Sequence, residues 1–158
     1  MRFGTFGSVQ ELNLPAYPFK LKRSEAVTQI YDVFRRKWVV LTPEEWVRQH
    51  MAMYLTGLGY VKERMAVEHE LKLNSMNRRA DLVAFDQSGN PLVLVECKAP
   101  EVAINQAVVD QAARYNLVLN VPCVVITNGL QHFCLILKDD NSWGYATSIP
   151  QFASWHQR

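Results

Sequence analysis

The chain has 158 residues, of which 49% are apolar and 20% charged, with seven Gly and seven Pro. That length suits one domain with its own core and leaves no room for two cores plus a linker, and the composition excludes disordered, collagen-like and disulfide-dense classes. Seventeen Lys and Arg against 15 Asp and Glu give a net charge of +2, so any nucleic-acid partner has to be declared by local rather than global charge.

Cys97, Cys123 and Cys134 form an odd set without a C-x-x-C pair, each inside an apolar run. They are expected as reduced core residues of a cytosolic protein. Residues 1–9 show no basic segment leading into an apolar stretch, and no apolar run reaches the roughly 18 residues that span a bilayer, so the expectation is a cytoplasmic protein with no membrane partner.

Residues 1–24 hold Pro15, Pro18 and the basic trio Lys20, Lys22 and Arg23 without a sustained period, as an extended arm would. Residues 29–33 and 38–41 are β-rich and flank Arg35-Arg36-Lys37, which predicts a small hairpin with a charged, solvated tip. Thr42-Pro43-Glu44-Glu45 is a helix start, with a Thr cap, Pro at the first position and two acids at the positive end of the dipole. The helix should run to about Leu58, burying Val47, Met51, Tyr54, Leu55 and Leu58, and stop at Gly57 and Gly59. On this wheel Glu44 lies at the edge of the buried stripe and Glu45 points away from it.

Three strands are expected next. Met65–Leu73 alternates, with Ala66, Glu68, Glu70 and Lys72 on one face and Val67, His69, Leu71 and Leu73 on the other. Residues 81–85 and 92–97 are more continuously apolar and are joined by the turn Gln87-Ser88-Gly89-Asn90. Residues 104–119 read as a second helix with Ala107, Val108, Ala112, Tyr115 and Leu119 on its apolar face; Cys123–Thr127 and His132–Leu137 follow, separated by Asn128-Gly129. The order helix, three strands, helix, two strands predicts an α/β sandwich, a mixed central sheet flanked by helices. One domain is expected, with arm and hairpin in 1–41, the core in 42–140 and a C-terminal tail in 141–158.

If 87–90 is a four-residue loop, Asp86 faces Pro91 and Asp81 faces Glu96. Directly opposed residues share a face with Cβ atoms roughly 4.5–5.5 Å apart. Two carboxylates so placed repel unless a proton or a cation sits between them. Lys98 lies two residues beyond Glu96 and shares its face, while Cys97 points to the other. Carboxylate, carboxylate and ammonium at one sheet edge suit Mg²⁺ and phosphodiester hydrolysis. As a plain surface ion pair the same trio would contribute at most about 1 kcal/mol. Gln111 continues the stripe of Ala107 and Val108, which points its amide inward, and Tyr115 lies one turn further on the same face.

Arg79-Ala80-Asp81, Val95-Glu96-Cys97-Lys98 and Gln111-Ala-Ala-Arg-Tyr115, preceded by a helix opening with Glu44, resemble the PD-(D/E)xK nuclease superfamily in its QxxxY subgroup. The stretch 41–129, with Thr-Pro-Glu-Glu-Trp-Val-Arg-Gln, Arg-Arg-Ala-Asp-Leu-Val, Val-Glu-Cys-Lys-Ala-Pro and Thr-Asn-Gly, looks like the N-terminal nuclease domain of type I restriction enzyme restriction subunits. The resemblance implies a restriction-endonuclease-like fold and a Mg²⁺-dependent deoxyribonuclease, with Mn²⁺ as a substitute ion. Asp81, Glu96 and Glu44 would bind the metal and Lys98 would act on the attacking water. Gln111 would hold the active-site region, and Tyr115 would support it or contact the DNA backbone. Glu45 is the alternative to Glu44, and Glu68 and Glu70 are further carboxylates nearby. Ala80 stands where the superfamily's Pro would precede Asp81.

Arg78, Arg79 and Lys72 could rim the acidic site and meet phosphates of duplex DNA, with Arg35, Arg36 and Lys37 as a second contact. No G-x-x-x-x-G-K-[ST] loop occurs in the sequence, so no ATP-driven translocase is expected within these residues, and translocase, modification or specificity subunits are candidate partners. The competing expectation is a DNA-binding or assembly module that keeps the fold with little turnover; an uncompensated acidic pair argues against it.

Overall fold

The computed structural model describes residues 10–73 and 76–157. A three-stranded antiparallel sheet comes first, of β1 (Leu21–Arg23), β2 (Thr28–Asp32) and β3 (Lys37–Val40). The hairpin β2–β3 falls where the β-rich pieces were expected. The arm is not wholly irregular, because Leu21–Arg23 pairs with β2 through Leu21↔Ile30.

Helix α1 (Pro43–Gly57) follows, with Thr42 Oγ1 accepting the Glu45 N–H at 3.0 Å and Pro43 in the first turn. Then come β4 (Met65–Leu73), β5 (Met76–Phe85), β6 (Pro91–Cys97), helix α2 (Gln106–Leu119), β7 (Cys123–Thr127), β8 (His132–Leu137) and β9 (Trp143–Ala146). The six strands form one sheet in chain order, antiparallel throughout except for β6 and β7, which run parallel across the α2 crossover. The expected tail therefore adds an edge strand, with Leu135↔Tyr145 among its pairs, and its Phe152 and Trp155 pack back on the core.

Two apolar layers cover the sheet. Val47, Met51 and Leu55 of α1 pack on Leu82, Val93, Val95 and Cys97. On the other side Val109 and Ala112 of α2 pack on Val83, Leu94, Val124 and Ile126. Here the stripe expected for α2 is corrected. Ala107 and Gln111 are exposed, and Val109, Ala112 and Asn116 face inward. Ala107 has one methyl to bury. Asn116 instead ties down the chain after the helix, donating from Nδ2 to Val121 O at 2.7 Å.

A second correction concerns β4. Val67↔Leu82 and His69↔Ala80 bracket Glu68, whose φ is +52, a value rare for a residue with a side chain. The break turns both strands. Val67 and Leu82 face α1, whereas Ala80 lies on the α2 side and the His69 ring meets Phe85, 5.5 Å between centroids. Val67 and His69 thus do not share a face.

Helix α1 is buried nearly all round, because the small sheet and the arm cover the side that the six-stranded sheet leaves open. Phe19 packs on Trp46 and His50, and Trp46 Nε1 donates to Gln10 O at 2.9 Å. Glu45, expected to point to solvent, is 4% exposed. It is held by Arg48 of the next turn, by Arg35 Nη2 at 2.6 Å and by Gln49 Nε2 at 2.9 Å. Arg35 also pairs with Asp32, and Arg48 Nη1 reaches Glu68 Oε1 at 3.0 Å, where Arg79 Nη2 joins at 2.7 Å. The hairpin tip is therefore not simply solvated. Arg35 turns inward as a clamp, and Arg36 and Lys37 remain exposed.

Removing one member of a buried ion pair strands the others and typically destabilises by about 3–5 kcal/mol. Glu45→Ala is expected to lower the free energy of unfolding by about that amount in urea titrations, with Glu101→Ala at an exposed position unchanged; a small effect at Glu45 would show that the clamp is dispensable.

Candidate active site

The site lies where β5, β6 and the start of α1 meet. The β5–β6 register is Leu82↔Val95, Val83↔Leu94 and Ala84↔Val93, and the ladder ends at Leu82, next to Asp81. Near the turn the pairing shifts to Phe85↔Pro91, and the Asp86 N–H donates to Asn90 O at 2.8 Å. The premise that Asp86 faces Pro91 is thus off by one residue. A bulge between Ala84 and Phe85 absorbs the difference, and the expected register holds from Ala84 to Leu82.

Asp81 does not remain in its own strand's frame. Its Oδ2 accepts the Cys97 N–H at 2.7 Å, so the side chain takes over where the ladder ends. The Lys98 N–H continues to Thr127 O at 2.8 Å, extending the parallel β6–β7 pairing by one bond. Thr127 is itself fixed. Its hydroxyl accepts from the Gly129 N–H at 2.9 Å and lies 2.7 Å from His132 Nδ1, whose Nε2 meets Asn13 O at 2.9 Å. Gly129 has φ +84, and a Cβ there would stand 2.7 Å from Leu12, so the turn after β7 requires glycine.

Burial pushes the Asp81 carboxyl above its ordinary range; the Cys97 N–H, Arg48 and Lys98 act in the opposite sense, and Glu68 adds to the rise. Glu44, at the accessible mouth of α1, is raised by partial burial and then by Asp81, with Arg48 and Lys98 opposing. The two acids and Lys98 thus stand within one another's fields. Glu68 goes the other way: burial raises it, but Arg48, Arg35 and Arg79 together bring it below its usual value. Cys97 lies beneath, its thiol pushed far up by burial and then by Asp81.

The structure thus brings Asp81, Lys98 and Glu44 together electrostatically, with Glu96 in β6 two residues before Lys98. Glu45 is withdrawn into its arginine clamp, which leaves Glu44 as the carboxylate of α1 that shares a field with Asp81. Gln111 is exposed on α2, so the inward bracing expected of it is absent here. The side chains of Tyr115, Lys72 and Arg78 lie outside the described residues. Sequence reasoning did not assign Arg48 or the Arg35 clamp to the site. The i, i+3 spacing of Glu45 and Arg48 was a usable signal, whereas the contacts with Glu68 and Arg35 cross the fold.

A hard divalent cation suits these donors, which are carboxylate oxygens beside a lysine, with Asp81 raising the proton affinity of Glu44. Among the described residues no three His, Cys, Asp or Glu side chains stand close enough to form a complete protein cage. Mg²⁺ typically takes one or two carboxylates and keeps water in its other positions, so the sparse set remains compatible with it.

A mixed sheet layered by helices, with acids and a lysine at one strand end, defines an α/β sandwich with a polar edge site. The profile of the family described as type I restriction enzyme R protein N terminus (HSDR_N) matches residues 43–150, and the chain belongs to that family. Among solved structures, a fragment assigned as an HsdR subunit of a type I restriction enzyme from Vibrio vulnificus YJ016 aligns with 18% identity and a TM-score of 0.49 over 70% of this chain. The alignment spans 24% of that structure's own length. No curated protein sequence matches the chain. No described helix is long and apolar enough to cross a membrane.

Because the folded pKa of Asp81 is raised, its stabilising contribution is complete below the unfolded value, near 3.9, and is lost as pH rises through the folded value. Asp81→Asn keeps an acceptor for Cys97 and is expected to raise the thermal midpoint at pH 7 in EDTA, with the gain vanishing near pH 3. An unchanged or lowered midpoint at pH 7 would contradict the assigned desolvation.

Proposed function

We propose that this domain is a divalent-metal-dependent endodeoxyribonuclease of the PD-(D/E)xK type, the nuclease module of a type I restriction subunit. The observation that carries the reading is the meeting of Asp81 from β5 and Glu44 from α1, where Asp81 adds negative charge to the surroundings of Glu44 and Lys98, just past β6, opposes the rise at both acids. Membership of the restriction R-protein N-terminal family supports the same context.

Asp81 and Glu96 would hold Mg²⁺ directly and Glu44 through a coordinated water, with Mn²⁺ as a substitute. When bound, such an ion neutralises charge on the attacked phosphate and acidifies a coordinated water. Lys98 orients the attacking water and offsets negative charge that develops on the phosphate. Asp81 Oδ2 is held by the Cys97 N–H, which would leave Oδ1 for the metal. Arg48, buried nearby, opposes the rise in proton affinity of both acids. Tyr115 keeps the supporting or DNA-contacting role that the QxxxY resemblance implies, and Gln111, being exposed, is assigned to that same motif without an inward contact. Duplex DNA is the proposed substrate, with other subunits of a restriction complex as proposed partners.

The test is cleavage of plasmid and linear duplex DNA with Mg²⁺ or Mn²⁺. Lys98→Ala is expected to lower the rate by about 10²–10⁴-fold, the usual contribution of a positioned acid or base, and Glu96→Ala to weaken Mn²⁺ binding in calorimetry. Cleavage at wild-type rate in both variants would remove the residue assignment. Mn²⁺ affinity is also expected to fall as pH is lowered into the range where Asp81 and Glu44 take up protons, above that of ordinary carboxylates.

A further inference from the structure

The three-stranded sheet has one face committed to the fold and one that is not. Ile30 is fully buried and Asp32 is 1% exposed, so alternate residues Gln29 and Tyr31 point away from α1. Pairing then fixes the outer face. One rung is Lys20, Tyr31 and Trp38, since the Tyr31 N–H donates to Lys20 O and Tyr31 opposes Trp38; the next is Lys22, Gln29 and Val40.

This face has an unusual composition for a solvated surface. Trp38 is 39% and Val40 51% exposed, and the Tyr31 and Trp38 rings meet edge to face with centroids 5.4 Å apart. Lys20 and Lys22 stand on the same face, and Arg36 and Lys37 are exposed at the hairpin end. Residues 20–40 hold six of the 17 Lys and Arg but two of the 15 Asp and Glu. The positive charge of the chain is therefore concentrated here. β3 leads directly into α1, and Val40 lines the same cleft as Glu44.

We propose that the outer face of this sheet binds an unpaired DNA strand, with bases stacked on Tyr31 and Trp38 and phosphates met by Lys20 and Lys22. Exposed aromatics within a basic groove are the usual platform for single strands, because every base offers a π face once it is unpaired. A duplex hides those faces and would use the lysines alone. The inference rests on the nuclease reading for its purpose, which is to lead one strand toward the site at Glu44 and Asp81. The binding itself needs no turnover.

The experiment uses the full chain in EDTA with a fluorescein-labelled 15-nucleotide oligo-dT, followed by anisotropy against salt. Trp38→Ala is expected to weaken binding by roughly 5- to 100-fold, with Trp38→Phe recovering most of it. Lys20→Gln with Lys22→Gln should reduce the salt slope by about 1.4, at about 0.7 per phosphate contact on a single strand. Unchanged oligo-dT affinity in Trp38→Ala would overturn the proposal, as would an equal loss on a duplex of the same length. Concentration-dependent self-association abolished by Trp38→Ala, with DNA binding intact, would assign the face to a second copy of the chain and also overturn it. A protein that binds oligo-dT through Trp38 but cleaves no DNA would leave this proposal standing and remove the nuclease reading; one that cleaves DNA with Trp38→Ala indistinguishable from wild type in KM and binding would do the reverse.

Discussion

Glu45 is a buried carboxylate that two arginines from different parts of the chain share, and the position of everything around the candidate site depends on it. Arg48 comes from its own helix and Arg35 from the β2–β3 turn, and both extend to Glu68 on β4, where Arg79 of β5 joins. A buried charge without its partners is expensive, so the three acids and three arginines have few alternative arrangements that satisfy them all. The small sheet, α1 and the β4–β5 edge are thereby held in one register.

That arrangement also sets the electrostatics of the site. Arg48 lowers the proton affinity of both Asp81 and Glu44, yet burial outweighs it and both remain raised. Glu68, given three arginines, is instead held ionised. Carboxylates within a few residues of one another in space thus divide into two kinds. Glu45 and Glu68 are consumed in holding the fold; Asp81 and Glu44, both raised in proton affinity, feel the field of Lys98. In the proposed nuclease the second kind would meet the metal, and the first would keep them in place.

The backbone contributes as much as the charges. Asp81 caps the end of the β5–β6 ladder through the Cys97 N–H, and Lys98 is held by the Thr127 carbonyl, so both site residues begin from fixed strand ends. The positive φ of Glu68 marks the point opposite Asp81 where two strands exchange faces. Unusual backbone at that rung frees Asp81 from ordinary cross-strand pairing and turns the Glu68 carboxylate toward the arginines.

The main strands and both helices were legible in the sequence, since periodicity, the Thr42-Pro43 start and the turn residues are local signals with strong physical causes. The Asp81, Glu96, Lys98 pattern was legible as a candidate site, because strand period and hairpin register project a linear pattern onto one edge; the pairing assumed at Asp86 is shifted by one residue at the bulge. What the sequence by itself could not determine was which of Glu44 and Glu45 is buried, which way Arg35 turns, and which stripe of α2 faces inward. Those depend on a second layer. Only in the folded chain does the small sheet cover α1 and supply Arg35 to Glu45, and only the packing of Val109, Ala112 and Asn116 on the sheet turns Gln111 outward. Side-chain burial is a property of pairs of elements, and the wheel of a single helix contains no information about its second neighbour.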